Sequence, residues 1–151
     1  MGDKTKSFRF TVILHNPDMS YYSGNVEYSK TDQSGAETTD TLEFIDGAAV
    51  VTLAHDESVT LSDLPGGLRY TVTENAEDAG DYHTTYSING ASAADGRNAS
   101  VTLASNPKIQ FHNSKQVLIP SGVYDLSVNL YALIPPLLLG MTLFRKRKDD
   151  D

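Results

Sequence analysis

The sequence predicts an all-β sandwich followed by a single C-terminal transmembrane helix. Three observations predict it. The chain ahead of about residue 115 is acidic and rich in Thr, Ser, Tyr and Val, with little Leu, which favours strands. Short alternating apolar segments separated by turn residues recur along it, about seven to nine strands, as in a β-sandwich. A mostly apolar run from Val123 to Phe144 then ends in four consecutive cations, Arg145-Lys146-Arg147-Lys148.

In order, Phe8, Phe10, Val12 and Leu14 alternate with Arg9, Thr11 and Ile13, giving a strand with one apolar face. His15-Asn16-Pro17-Asp18 is a turn. Asn25 to Lys30 is a second, weaker strand, and Thr31 to Thr41 is polar with a Ser34-Gly35 turn. Thr41 to Ile45 and Ala49 to Ala54 flank Asp46-Gly47, the pattern of a hairpin. Val59 and Leu61 mark a short strand closed by Leu64-Pro65-Gly66-Gly67. Leu68, Tyr70, Val72 and Glu74 share a face, because strand side chains repeat every two residues. Asn75 to Asp81 reads as an acidic loop, Tyr82 to Ile88 as a strand, and Ala91 to Asn98 as a loop. Val101 and Leu103 mark a strand, and Ile109, Phe111 and Asn113 alternate in the last one, with Ser114 to Leu118 as a tether.

The resulting division is a sandwich over 1–114, a linker over 115–124, a membrane helix over 125–144 and a basic cytoplasmic tail over 145–151. About 20 apolar residues cross a bilayer core. From Leu126 to Phe144 only Ser127, Asn129, Tyr131 and Thr142 carry polar groups, and none is charged. Pro135-Pro136 would kink such a helix. The cations hold their end in the cytoplasm, leaving the sandwich outside the cell. A buried core helix is the alternative for the same run.

Net charge is −8, and the basic tail masks a still more acidic remainder. That excludes a nucleic-acid partner, which requires a positive footprint, and docking on an anionic membrane surface. There is no cysteine, so disulfides, zinc–thiolate sites and thiol catalysis are excluded. His15, His55, His83 and His112 lack metal-ligand spacing. Glu74, Glu77, Asp78 and Asp81 fit no calcium loop, so no metal and no cofactor is expected. Asn98-Ala99-Ser100 is a weak glycosylation sequon. The first residues, Met1 to Phe8, carry no apolar signal region, so a fragment of a longer precursor is expected.

Glu74 and Asn113 end apolar rows, at the rim or inside. A buried carboxyl tends to stay protonated, and beside it an amide carbon is a candidate acyl-transfer centre for a desolvated lysine amine. The product would be an intramolecular isopeptide bond, with ammonia lost. Solvated strand ends remain the alternative on spacing alone.

Phe8-Arg-Phe-Thr-Val, Leu64-Pro65-Gly66-Gly67, Tyr70-Thr-Val-Thr-Glu74, Tyr82-His-Thr-Thr and Phe111-His-Asn113-Ser-Lys115, in that order, resemble the streptococcal pilin isopeptide-linkage domains. These are relatives of the collagen-adhesin B-type repeat of Gram-positive surface proteins. The resemblance implies an immunoglobulin-like sandwich of that type. It also implies that Glu74 assists the reaction and that Asn113 supplies the amide. The family's lysine lies on a first strand upstream of the stretch with which this chain begins, so the bonding lysine and that strand are expected to be absent, leaving a sheet edge open. Lys6, in phase with Phe8 and Phe10, is the substitute candidate, against an exposed lysine at a frayed terminus.

Ile119-Pro120-Ser121-Gly122-Val123 is similar to Val-Pro-Thr-Gly-Val variants of the sortase signal, which implies a cut between Ser121 and Gly122. An ordinary Pro-Gly turn ahead of the membrane helix is the equal alternative. Together these imply a structural, pilin-like surface domain of a Gram-positive bacterium that is no enzyme toward other molecules. Its expected partners are membrane lipid, sortase and other pilin subunits or the cell wall. The rival is an adhesin module touching host matrix or glycan through loops such as Thr31 to Asp40. A membrane-anchored enzyme or sensor is the third reading.

Overall fold

The computed structural model describes residues 3–102, 107–119 and 122–133, with everything from residue 116 onward described as backbone alone. In chain order these residues form β1 (Phe8–His15), β2 (Gly24–Thr31), β3 (Glu37–Phe44), β4 (Ala48–Leu53), β5 (Ser58–Leu61) and β6 (Arg69–Glu74). A helix, α1 (Ala76–Ala79), follows, then β7 (His83–Ile88), β8 (Ala94–Asp95), β9 (Asn98–Thr102), β10 (Lys108–Ile119) and β11 (Gly122–Leu133). One sheet has the order β4-β1-β6-β9, the other β3-β2-β5-β11-β10-β7-β8. All pairings are antiparallel except β5 with β11. The expected all-β fold is present.

Period-two alternation places the core. Phe8, Phe10, Val12 and Leu14 of β1 are buried, as are Tyr70 and Val72 of β6 and Ile109 and Phe111 of β10. Burying each large apolar side chain contributes about 1.5–3 kcal/mol. The sheets meet where the rings of Phe10 and Phe111 lie 5.0 Å apart. All four residues of β5 are buried, as befits an interior strand covered on both faces.

Several expectations give way. The Asp46-Gly47 turn is present, with Ile45 and Ala48 exchanging backbone hydrogen bonds of 3.1 and 3.0 Å. It does not join a hairpin. β3 pairs with β2 in one sheet and β4 with β1 in the other, so the turn carries the chain between layers. Most of the polar stretch 31–41 belongs to strands, because β3 is an exposed outer strand that tolerates Glu37-Thr-Thr-Asp-Thr. Asn75 to Asp81 holds α1, capped by the Asn75 side chain, which accepts from the Glu77 amide at 2.9 Å. Ala94–Asp95 of the 91–98 loop pairs with β7.

The largest correction concerns the C-terminal segment. The expected linker over 115–124 is mostly strand, since β10 runs through Ile119. The expected membrane helix is β-strand as far as Leu133. Ile119 pairs with Gly122, so the sortase-like motif contributes residues to both β10 and β11, its Pro120 and Ser121 lying outside the described residues. The physical reason is the period. Tyr124, Leu126, Val128, Leu130 and Ala132 are apolar at every second position, with Asp125, Ser127 and Asn129 between them. The apolar row pairs with Val117, Lys115, Asn113, Phe111 and Ile109, which includes the buried row of β10. No helix among the described residues is long and apolar enough to cross a membrane. Residues 134–151, with Arg145, Lys146, Arg147 and Lys148, lie outside the described residues. β11 lies between β5 and β10 in the seven-stranded sheet, and β3 and β8 are its edges.

Candidate functional site: a buried carboxyl–amide pair between the sheets

β6 ends on Glu74, whose backbone pairs with Phe10 of β1. From the opposite sheet, Asn113 of β10 pairs with Thr84 of β7. Glu74 and Asn113 each close an apolar row, Thr84 lies in phase with Tyr86 and Ile88 of β7, and the three side chains meet in the interior. Glu74 is 1% exposed, Asn113 0% and Thr84 6%. Asn113 Nδ2 donates a short hydrogen bond to Glu74 Oε1, and Thr84 Oγ1 donates to Oε2 at 2.7 Å. The pair therefore ties one sheet to the other. Asn113 Oδ1 is buried without a hydrogen-bond partner among the described residues.

Burial pushes the Glu74 carboxyl above its ordinary value. The hydrogen bonds from Thr84 and Asn113 and the charge of Arg97 oppose that rise, and Asp78 adds to it. Desolvation dominates, so Glu74 is held toward its neutral form. A neutral carboxyl against an amide nitrogen can give a proton to that nitrogen as it leaves and take one from an attacking amine.

The strand end that carries Glu74 is fixed from outside. Arg9 grips Asp78 of α1 through Nε at 2.8 Å and Nη2 at 3.0 Å, and the Arg9 amide donates to Asp78 at 2.9 Å. The Arg9 guanidinium holds the Asp78 carboxyl below its usual range. The Asn75 amide donates to the Arg9 carbonyl at 2.8 Å, so α1 is pinned directly after Glu74. The acidic segment thus serves as a clamp on β1.

Lys6 does not join the pair. Its ammonium lies 4.6 Å from the centre of the Tyr82 ring and 5.0 Å from that of Phe8, a half-buried cation–π seat at the rim. Phe10, not Lys6, is level with Glu74, and four extended residues span about 13 Å. Lys115 Nζ pairs with Asp81 at 3.0 Å and also faces Tyr82 at 5.8 Å. The residue directly across from Asn113 on β11 is Val128. Sequence reasoning missed Thr84 and position 128. Thr84 carries the same signal as its partners, a polar residue in the inward phase of Tyr82, Tyr86 and Ile88.

The family model for a domain of unknown function, DUF7601, matches residues 1–115. The pilus tip adhesin Cpa of Streptococcus pyogenes is 32% identical over 123 residues, covering 82% of this chain and 16% of that protein. A pilin of Streptococcus pyogenes serotype M1 is 29% identical over 153 aligned positions, 97% of this chain and 45% of the pilin. The chain spans less than half the length of either relative. A solved structure of the pilus-presented adhesin Cpa aligns with TM-score 0.46 and 20% identity over 89% of this chain and 25% of that one. The likeness to streptococcal pilin domains drawn from the motifs is borne out by these relatives.

Proposed function

This chain belongs to the DUF7601 family, and on that footing we propose that it is a structural domain of a pilus-like cell-surface protein, equipped to form an isopeptide cross-link at Asn113. The observation that carries the proposal is the buried Glu74–Asn113 hydrogen bond between the sheets, with Thr84 on the second carboxyl oxygen. A neutral lysine amine attacks the Asn113 side-chain carbonyl carbon, and a new carbon–nitrogen amide bond forms. The bond to Nδ2 breaks, and that nitrogen leaves as ammonia. Glu74 delivers its proton to the departing nitrogen and recovers one from the attacking amine, so it ends unchanged. The lysine belongs on a strand beyond this chain, since position 128 holds valine and Lys6 sits at the rim. The domain acts once on its own polypeptide, not as an enzyme toward other molecules.

Surface display is supported by the relatives named pilin and pilus tip adhesin. Sortase processing at Ile119-Pro120-Ser121-Gly122-Val123 and membrane retention through 125–144 and the cations 145–148 belong to the same reading, for a precursor state. They exclude β11. The residues 134–144 left beyond it fall short of the about 20 needed to span a bilayer, so a spanning helix must take residues 125–133 out of the sheet.

Intact mass tests the chemistry. The chain as given keeps its full sequence mass. A form extended upstream by a lysine-bearing strand loses about 17 Da, one ammonia, by acyl transfer. Retention of full mass in the extended form defeats the cross-link. The second reading, an adhesin module, is favoured by the name of one relative. The proposed contact loop is, however, a tight turn. Asp32 Oδ1 accepts from the amides of Ser34 at 2.8 Å and Ala36 at 3.0 Å, and β3 follows directly. Saturable binding of the purified protein to matrix proteins is the measurement that would favour the adhesin.

A further inference from the structure

We propose that the outer face of the four-stranded sheet binds a carboxylated saccharide, in a cleft over β1, β6 and β9 with Arg69 as the anion anchor. The cleft lies on the face turned away from Glu74 and Asn113, so it is independent of the cross-link.

The register builds it. Tyr70, Val72 and Glu74 of β6 are buried, so Arg69 and Thr71 face outward. Arg69 pairs with His15 of β1 on one side and Thr102 of β9 on the other, and Thr71 pairs with Ser100. Neighbouring strands lie about 4.8 Å apart, so these residues form two adjoining rows on one surface. Met19, from the loop between β1 and β2, overhangs them and completes a cleft of about 290 Å³. That is the lower end of small-molecule sites, with room for about one or two sugar rings.

Four observations select the ligand. First, Arg69 is exposed and makes no ion pair or side-chain hydrogen bond among the described residues. Arg9, by contrast, is held by Glu77 and Asp78. A free guanidinium fork takes a carboxylate through two parallel hydrogen bonds. Second, the chain has 20 acidic residues, yet none among the described residues lines the cleft. Asp18, beside Met19, is turned onto the amide and hydroxyl of Ser20 at 3.0 and 2.6 Å. Third, hydroxyls line the rest. Thr71 Oγ1 and Ser100 Oγ lie 2.6 Å apart and share one proton, which leaves the other proton and free lone pairs for ligand hydroxyls. Fourth, apolar surface stands at the rim. Met19 is 53% exposed and Tyr21 60%, and the Tyr21 ring lies against His15 at 4.9 Å. Met19 has φ of 69°, rare for a bulky side chain, and its amide is tied to the Asn16 carbonyl at 2.9 Å. Backbone strain of this kind collects at ligand clamps.

A sugar acid matches an anion anchor, hydroxyls and an apolar rim together. A peptide matches them less well: β6 has both backbone edges paired, so the cleft floor offers no ladder for strand addition.

The test titrates the full chain and follows backbone amides by nitrogen–proton correlation NMR. The probes are methyl glucuronide, methyl glucoside, acetate and an Asp-rich peptide. The two sugars differ only in a carboxylate for a hydroxymethyl group. Methyl glucuronide should give saturable shifts at Arg69, Thr71, Ser100 and Thr102 with a Kd of millimolar order, and methyl glucoside and acetate should bind about tenfold more weakly or worse. Arg69→Met, at an exposed position, should weaken the glucuronide about tenfold and leave the glucoside unchanged, with Arg69→Lys between. Ser100→Ala should weaken both sugars alike. Absence of saturable shifts at these amides overturns the site. Equal affinity for the glucoside, or for acetate, overturns carboxylated-saccharide recognition, and tighter binding of the peptide overturns it in favour of an acidic protein partner. None of these outcomes touches the mass test of the cross-link.

Discussion

Glu74 sits where a charge is hardest to keep and a hydrogen-bonding group hardest to remove. Its two oxygens accept from Asn113 and Thr84, so Glu74→Ala strands two buried donors and should cost about 2–4 kcal/mol in urea unfolding. Glu74→Gln keeps the neutral shape and one acceptor oxygen but turns an NH2 toward the other donor, so its cost should be smaller than that of Glu74→Ala without vanishing. The two variants also separate by pH. The folded carboxyl titrates above its ordinary value of 4.5, so its stabilising share is complete below that value and is lost as pH rises through the folded value. Wild-type stability should therefore fall as pH climbs from about 4.5, and Glu74→Gln should flatten that slope; an unchanged slope refutes a raised Glu74. Much of this site was legible, because Glu74 and Asn113 break apolar rows at fixed parity. Their meeting across two sheets was not, since no local spacing encodes a contact between β6 and β10. Thr84 is legible by the same rule, a polar residue in phase with Tyr86 and Ile88.

At the level of single elements, the connection at Asp46-Gly47 is the most demanding. Asp46 and Gly47 have φ of 49° and 80°. A Cβ on Gly47 would lie 2.9 Å from the Leu14 carbonyl oxygen and 2.5 Å from the Tyr21 ring. Gly47→Ala should lower stability by about 2 kcal/mol, measured by denaturant melts. The turn residues announced the turn; they could not announce that its flanks join different sheets, which depends on β1 and β2 as competing partners. The clamp between Arg9 and α1 offers a second test. Asp78 titrates below its usual range in the folded chain, so its contribution is present above 3.8, the ordinary value, and lost as pH falls through the folded value. Arg9→Met should remove that acid-side loss and speed amide exchange at Ala79 and Gly80. Arg9 is half exposed, so the overall loss at neutral pH should be small.

For the molecule as a whole, the C-terminal strand decides the architecture, and it exposes the limit of reading hydropathy alone. Counting apolar residues from Val123 onward favours a helix; reading their parity from Tyr124 to Ala132 favours a strand. Length alone points to a helix because Ile134 to Phe144 extends the apolar stretch beyond any strand. Parity also supplies the experiment. In the strand, Leu130→Asp at the position across from buried Phe111 should destabilise by about 2–4 kcal/mol, whereas Asn129→Asp beside it should stay within about 0.5 kcal/mol. Equal effects at both positions would remove β11 from the sheet.

The antiparallel pair of β10 and β11 has Ile119 beside Gly122 at one end and Lys108 beside Leu133 at the other. Tension applied at Leu133 itself opens the pair from that end rung by rung, rather than loading all the rungs together. A covalent link at Asn113, of the kind proposed above, would stop that opening halfway along the pair.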